Sequence, residues 1–318
     1  MTFVLETLLL RWLLWGAIAV PIAAWGIFHL YHDIWWVENV ISIPGIFLSY
    51  FALLSIATFA LRYWAHFVVG VCSSVVFLMM AEPEQQQVLA HCATPVSVGQ
   101  LTLSDSTLSD EQWQQLIATG VDMLVIQNID GELSEDNAKR LNAVFPHQYK
   151  MAASSTSRGQ WLLSRFVLSN ISQFSIGYGH HALRAVWHPV PQKQITLVSA
   201  LLPYPFDQAQ WILRNALLRG VESQVYLDDQ NEMLVVGNLS ISATNLRFSG
   251  LFPGFETAPV ASWPTHFGEV ALPYFMMLSL DHVWLKSLQS GRRICSRTTE
   301  RSISGEMHRM IKTVIGFR

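Results

Sequence analysis

Hydrophobic positions fall along this chain in two regimes that change at Ala81. Up to that residue they form long unbroken runs. Trp12 to Tyr31 contains no Asp, Glu, Lys or Arg, Ile41 to Leu61 is a second such run, and Ala65 to Ala81 is a third. Each approaches the roughly 17 to 25 residues that cross about 30 Å of hydrocarbon as a helix. The pattern therefore predicts an N-terminal anchor of three transmembrane helices over residues 1–81, with Pro21 and Pro44 tolerated inside it. A cleavable signal peptide has one shorter apolar region, so these are expected to be retained. Trp35 and Trp36 beside Asp33, and Tyr63 and Trp64 beside Arg62, have the look of interfacial belts.

Beyond Ala81 the pattern breaks into short pieces. Val96 to Leu103, Met123 to Gln127, Gln160 to Leu163, Ile195 to Leu202 and Met233 to Gly237 are brief, mostly apolar and bounded by polar or turn residues, as buried strands are. Between them lie helical stretches. Ser109 to Ile117 opens with a Ser N-cap and two acidic residues in its first turn, and Phe206 to Arg219 is amphipathic. Strands alternating with helices predict an α/β sandwich. No repeat or low-complexity run divides it, so residues 82–93 are read as a linker and 94–318 as one domain.

Composition agrees with this partition. The 318 residues are 51% hydrophobic and only 14% charged, against about 25% charged in an ordinary soluble domain. Residues 1–81 hold two basic side chains (Arg11, Arg62) and three acidic ones (Glu6, Asp33, Glu38). The positive-inside rule places Arg11 and Arg62 in the cytoplasm and the large domain outside, which in a bacterium means a multi-pass inner-membrane protein with a periplasmic domain. Only His29, His32 and His66 are ionisable within or beside the spans, and all lie near their ends, which disfavours a channel or transporter. Cys92 and Cys295 both fall in the outward domain, where a disulfide could persist; spacing alone leaves that bridge open. Outside the anchor 18 basic and 20 acidic residues remain, which argues against a body built to grip nucleic acid. From Lys286 to Arg318 eight basic residues (Lys286, Arg292, Arg293, Arg297, Arg301, Arg309, Lys312, Arg318) face two acidic ones, a stretch that could meet anionic headgroups or a phosphorylated ligand, or be a solvated basic face.

Seven short motifs follow one another in order: Val121-Asp122-Met123-Leu124-Val125-Ile126-Gln127-Asn128, Gly159-Gln160-Trp161-Leu162-Leu163-Ser164-Arg165, Val198-Ser199-Ala200-Leu201-Leu202-Pro203-Tyr204-Pro205, Val236-Gly237-Asn238-Leu239-Ser240, Ser262-Trp263-Pro264, Leu280-Asp281-His282-Val283 and Gly305-Glu306-Met307-His308. In this series the chain resembles the endonuclease/exonuclease/phosphatase superfamily, particularly its bacterial members with N-terminal membrane helices. The resemblance spans about residues 94–313. It implies a DNase I-like, four-layer α/β sandwich, and an ancestral activity of phosphoester hydrolysis with Mg²⁺ held on carboxylates.

The chemistry of that resemblance is degraded at the site. Asn128 stands for the metal-binding Glu, Asn238 for the Asp that activates water, Ser240 for an Asn, Ala200 for a His and Met307 for an Asp, while the Asn expected after the first strand has no counterpart near Ser104 and Asp105. A neutral amide neither neutralises a divalent cation nor accepts a proton near neutral pH. Two positions survive: Asp281, which in the family orients the catalytic His, and His308, that His. They would form a catalytic dyad if any activity is retained, or a buried structural hydrogen bond if not. The expected reading is a membrane-anchored protein without metal or cofactor that serves as a binding or assembly module, its partners being the bilayer and either a protein or a polar or phosphorylated ligand at the cleft. The alternative is an active Mg²⁺-dependent phosphodiesterase or phosphatase, acting on a lipid or nucleotide at the membrane surface, with metal ligands relocated to Asp130, Glu132, Asp228 or Asp229. His180 and His181 beside a Gly-rich turn are a further metal candidate, weakened because adjacent strand residues face opposite sides.

Overall fold

The structure is a computed structural model and describes residues 2–31, 33–87, 92–190, 193–300 and 303–317; His32, Arg301 and Arg318 lie outside the described residues. Four helices come first: α1 (Thr2–Leu30), α2 (Trp35–Ile41), α3 (Pro44–Ala60) and α4 (Trp64–Met80). Next are β1 (Gln85–Gln87), β2 (Ala93–Thr102), α5 (Asp110–Ala118), β3 (Met123–Gln127), α6 (Glu135–Val144), β4 (His147–Met151), β5 (Gln160–Ser164), β6 (Leu168–Gly177), β7 (His180–Val190) and β8 (Lys193–Ser199). The chain closes with α7 (Gln208–Leu227), β9 (Glu232–Asn238), β10 (Glu256–Thr257), β11 (His266–Phe267), β12 (Val270–Ala271), β13 (Asp281–Ser287), β14 (Arg292–Thr299) and β15 (Ile311–Phe317).

Two sheets stack face to face. One runs β1-β14-β15-β2-β3-β5-β4 and the other β10-β13-β9-β8-β7-β6, with β11 and β12 a separate hairpin. Alternation along the strands sends Val98, Val125 and Leu162 of the first sheet and Leu197, Val236 and Val283 of the second into one shared core. The opposite faces are also apolar. Leu101, Leu124 and Ile126 pack under Trp113, Leu116 and Leu141 of α5 and α6, and Val198 and Val235 pack under Leu217, Leu218 and Val221 of α7. Strands buried on both faces read as continuous hydrophobic runs, which is why Met123–Gln127 was legible. The result is a four-layer α/β sandwich.

Helix starts follow their caps. Ser109 and Gln112 form a reciprocal capping box at α5, and the side chains of Ser134 and Asp207 cap α6 and α7. Residues 85–87, read from sequence as linker, are a strand paired with β14. Cys92 and Cys295 are joined by a disulfide with Cα atoms 6.1 Å apart, so the segment entering the domain is held to its sheet on both sides of residues 88–91, which themselves lie outside the described residues.

The N-terminal region departs from three uniform spans. Among the described residues one helix, over Leu8–Leu30, is by itself long and apolar enough to cross a bilayer. The second expected span, Ile41 to Leu61, forms as α3 but begins only at Pro44; α2 precedes it, and the two helices meet at 58°. Proline explains the break. Pro44 has no N–H to give to the preceding turn and disfavours helical geometry at Ile43, which sits at φ −118°, ψ 73°, whereas Pro21 is accommodated within α1. The third run forms α4, an apolar helix of 17 residues. Phe47 and Phe51 of α3 stack on Phe77 of α4, with Trp25 of α1 edge-on to Phe77.

Candidate functional site

Strand ends converge at one rim of the sandwich. Thr102 at the end of β2 is in register with Gln127 at the end of β3, and Asn238 at the end of β9 is in register with Asp281 at the start of β13. Gln127 ties the two sheets together: its amide nitrogen donates to the Ala200 carbonyl (2.9 Å) and the Ser199 hydroxyl (3.1 Å), and its oxygen accepts the Asn238 N–H (2.8 Å). The crossing needs Gly237, since a Cβ there would stand 1.9 Å from the Ala200 carbonyl oxygen and 2.8 Å from the Gln127 amide nitrogen.

Asp281 and His308 meet within this rim. His308 Nδ1 lies 2.8 Å from Asp281 Oδ2, and both residues are buried. The other carboxylate oxygen accepts from the Thr102 hydroxyl (2.6 Å) and the Gln100 amide (3.2 Å). Burial alone would raise the Asp281 pKa, but His308 and the Thr102 and Ser262 hydroxyls hold it below the ordinary value of 3.8. The far nitrogen of His308 is also engaged. Tyr204 Oη lies 2.6 Å from Nε2 and accepts from the Asn238 amide at 3.0 Å. Burial, then the Asp281 charge, raises the Tyr204 pKa, so the phenol is neutral and gives its single proton to Nε2. Nδ1–H then donates to Asp281. With this assignment the chain Asn238–Tyr204–His308–Asp281 is hydrogen-bonded end to end.

The remaining sequence candidates are held in structural bonds. Asn238 Oδ1 accepts from the Ser240 N–H (2.9 Å), and the Ser240 hydroxyl, with one proton, lies between the Leu202 carbonyl (2.9 Å) and Asn238 Oδ1 (3.1 Å). Asn128, at φ 59°, donates to the Leu103 carbonyl at 2.8 Å. Ala200 is wholly buried in the core under α7. The Met307 N–H donates to the Ser104 hydroxyl (3.1 Å). Thus the side chains of Asp281, His308, Asn238 and Ser240 form one connected network, in which the side chains of Asn128, Ala200 and Met307 take no part.

Residues that the sequence did not single out complete the picture. Tyr204 seals His308 and lies against Trp263, with ring centroids 5.7 Å apart. Glu306, next to Met307, accepts the Ser104 N–H (2.9 Å), and burial raises its pKa above 4.5 with help from Asp105. Glu38 of α2 is buried, ion-paired with Arg214 of α7, and accepts from the Trp211 indole at 2.6 Å. Arg214 in turn donates to the Ser240 carbonyl (2.9 Å), so a carboxylate of the N-terminal helices is wired to the site. Only the chain separation between Glu38 and Arg214 hid this pair.

The relocated metal ligands do not assemble. Asp130, Glu132 and Asp229 are exposed, and Asp228 is spent on a two-pronged pair with Arg184 at 2.5 and 3.0 Å. His180 and His181 gather no further ligand, and no group of three or more His, Cys, Asp or Glu among the described residues is placed to hold a metal. The Mg²⁺ implied by the resemblance does not fit the residues present. A hard cation needs anionic oxygens, and the positions offer an amide turned to a carbonyl (Asn128) and one tied to Ser240 (Asn238). Nor is the C-terminal run one basic face: Arg292 and Arg297 point inward to Glu232 and to the Ala258 and Asp281 carbonyls, and Arg309 pairs with Glu84.

With this geometry in view, the fold is that of the endonuclease/exonuclease/phosphatase structures, the DNase I-like sandwich. D. rerio TDP2, complexed with a single-strand DNA product, is 14% identical with a TM-score of 0.55, over 70% of this chain and 100% of that one. An endonuclease/exonuclease/phosphatase from Beutenbergia cavernae is 14% identical with a TM-score of 0.54, over 70% and 72%. The human Nocturnin catalytic domain, with bound sulfate, is 12% identical with a TM-score of 0.52, over 74% and 100%. No family model and no curated protein sequence matches the chain.

Proposed function

We propose that this chain is a membrane-anchored binding or assembly module on a DNase I-like fold, without metal-dependent hydrolysis. The observation that carries the reading is Tyr204. It occupies the only free nitrogen of His308 and the amide of Asn238 together, so the group that would act as base is sealed by a neutral phenol. Neutral Asn128 and Asn238 add a second reason, since neither supplies charge to a cation. Under this reading the Asp281–His308 pair serves to hold β13 to the segment before β15. The anchor comprises α1 to α4, crossing the bilayer more than once, with the sandwich on the side opposite Arg11 and Arg62; for a bacterial chain that side is the periplasm, where the Cys92–Cys295 bridge persists. The near balance of charge in the sandwich argues against nucleic acid as the partner.

The test is turnover. Full-length protein in detergent, offered phosphodiesters and phosphomonoesters with and without Mg²⁺ or Mn²⁺, is expected to be inert. Metal-dependent hydrolysis that His308→Ala abolishes would establish the phosphoesterase reading instead.

A further inference from the structure

Between the anchor and the sealed site lies a cavity of about 230 Å³. Ile43, at the break between α2 and α3, contributes one wall, and Tyr204, Phe206, Trp263, Leu278 and Leu280 contribute the others. We infer that this cavity receives the end of one acyl chain of a bilayer lipid, an inference that rests on residues 1–81 being a membrane anchor.

The committed state of most polar side chains around the cavity gives the first reason. Glu38 is taken by Arg214 and Trp211, and the Asn39 amide by the Pro205 carbonyl at 2.9 Å. The Ser42 and Ser240 hydroxyls donate to the Glu38 and Leu202 carbonyls, Ser242 bonds Thr244, and the Tyr204 hydroxyl is spent on His308. A polar ligand buried here would find few groups to pair with and would lose its hydration largely uncompensated, so hydrocarbon is the chemistry that fits.

Position and size give the other two. Along the chain, the wall residue Ile43 is flanked by exposed apolar side chains: Ile34 and Trp36 at the start of α2, directly after α1, and Ile46 in the first turn of α3. Phe206, across the cavity, is 68% exposed. Apolar surface therefore accompanies the link between the anchor helices up to the cavity. A chain passing from the bilayer into it exchanges one apolar environment for another and loses little hydrophobic energy. The volume falls below the roughly 300 to 1,000 Å³ of a pocket that takes a drug-sized ligand, which suits a chain end and excludes a whole lipid.

Photolabelling reads this directly. Full-length protein is placed in phosphatidylcholine vesicles containing a phosphatidylcholine with a diazirine near the end of one acyl chain, irradiated, and the labelled peptides mapped. Label is expected on α1, α3 and α4, and also on the segments containing Tyr204–Phe206 and Leu278–Leu280. Ile43→Trp, which fills the cavity from the anchor, should lower label on those two segments by about tenfold, the scale set by displacing roughly two buried methylenes, with the helices labelled as before. Ser242→Phe fills it from the domain and carries the test if the first variant fails to fold. Label on the helices with none at the cavity, or cavity label unchanged in both variants, overturns the inference and spares the anchor. Label nowhere overturns the anchor and the inference with it. Cavity label from a photoactivatable free fatty acid, with none from the phospholipid, overturns the bilayer lipid as source.

Discussion

A tyrosine hydroxyl 2.6 Å from an imidazole nitrogen decides the character of the site. Tyr204→Phe leaves His308 Nε2 and the Asn238 amide buried without their partner, and should cost about 1 to 3 kcal/mol of stability in denaturant unfolding. It should confer no hydrolysis, because a free imidazole without a bound cation still lacks the Lewis acid; appearance of activity would show that the tyrosine alone blocks catalysis. His282, adjacent to Asp281, gives a pH signature. Burial, then the Arg297 charge, lowers its pKa from 6.5 to about 3, so it is neutral when folded and binds a proton when unfolded. Its contribution is therefore full above pH 6.5 and is lost as pH falls toward 3. Melts of wild type and His282→Gln across that range should show a shallower acid loss in the variant; parallel curves would mean the ring is not held neutral. Asp281 and His308 were legible in sequence only through the resemblance, which places each in a short motif of the ordered series. Tyr204 was not, for it lies in a loop with no periodicity and its partners are 34 and 104 residues away.

Helix α2 is the element that couples the two halves of the chain. Its Glu38 is a buried ion paired with Arg214, and Gly45 just beyond it allows close approach, since a Cβ there would stand 2.3 Å from the Phe275 carbonyl oxygen. Glu38→Ala strands a buried guanidinium and should destabilise the protein by about 3 to 5 kcal/mol, while Glu38→Leu combined with Arg214→Met should recover most of the loss. Equal destabilisation in the single and double variants would show that the pair does not join the halves. Hydrophobic pattern revealed β2, β3, β5, β8 and β9 and the helices α5 and α7, but not the short, polar α6. It missed β6, whose Ser, Asn and Gln residues are largely exposed, and the polar strand β1. It also started the second span at Ile41 instead of Pro44, because apolar content alone does not register the break that Pro44 imposes.

At the scale of the whole molecule, low charge has two origins: the apolar helices at the N-terminus and positions where two amides, a methyl and a thioether (Asn128, Asn238, Ala200, Met307) stand where the resemblance calls for ionisable groups. The order of motifs made the sandwich readable, since strand sequence and turn residues are local. The state of the site was readable only as a list of missing charges, because its sealing depends on side chains from five separated segments. Mn²⁺ binding tests the central claim most directly. Electron paramagnetic resonance of full-length protein titrated with Mn²⁺ should show the signal of free ion throughout, unchanged in Asn128→Ala and Asn238→Ala. One bound Mn²⁺ per chain, released by either substitution, would contradict it and restore a metal centre to this fold.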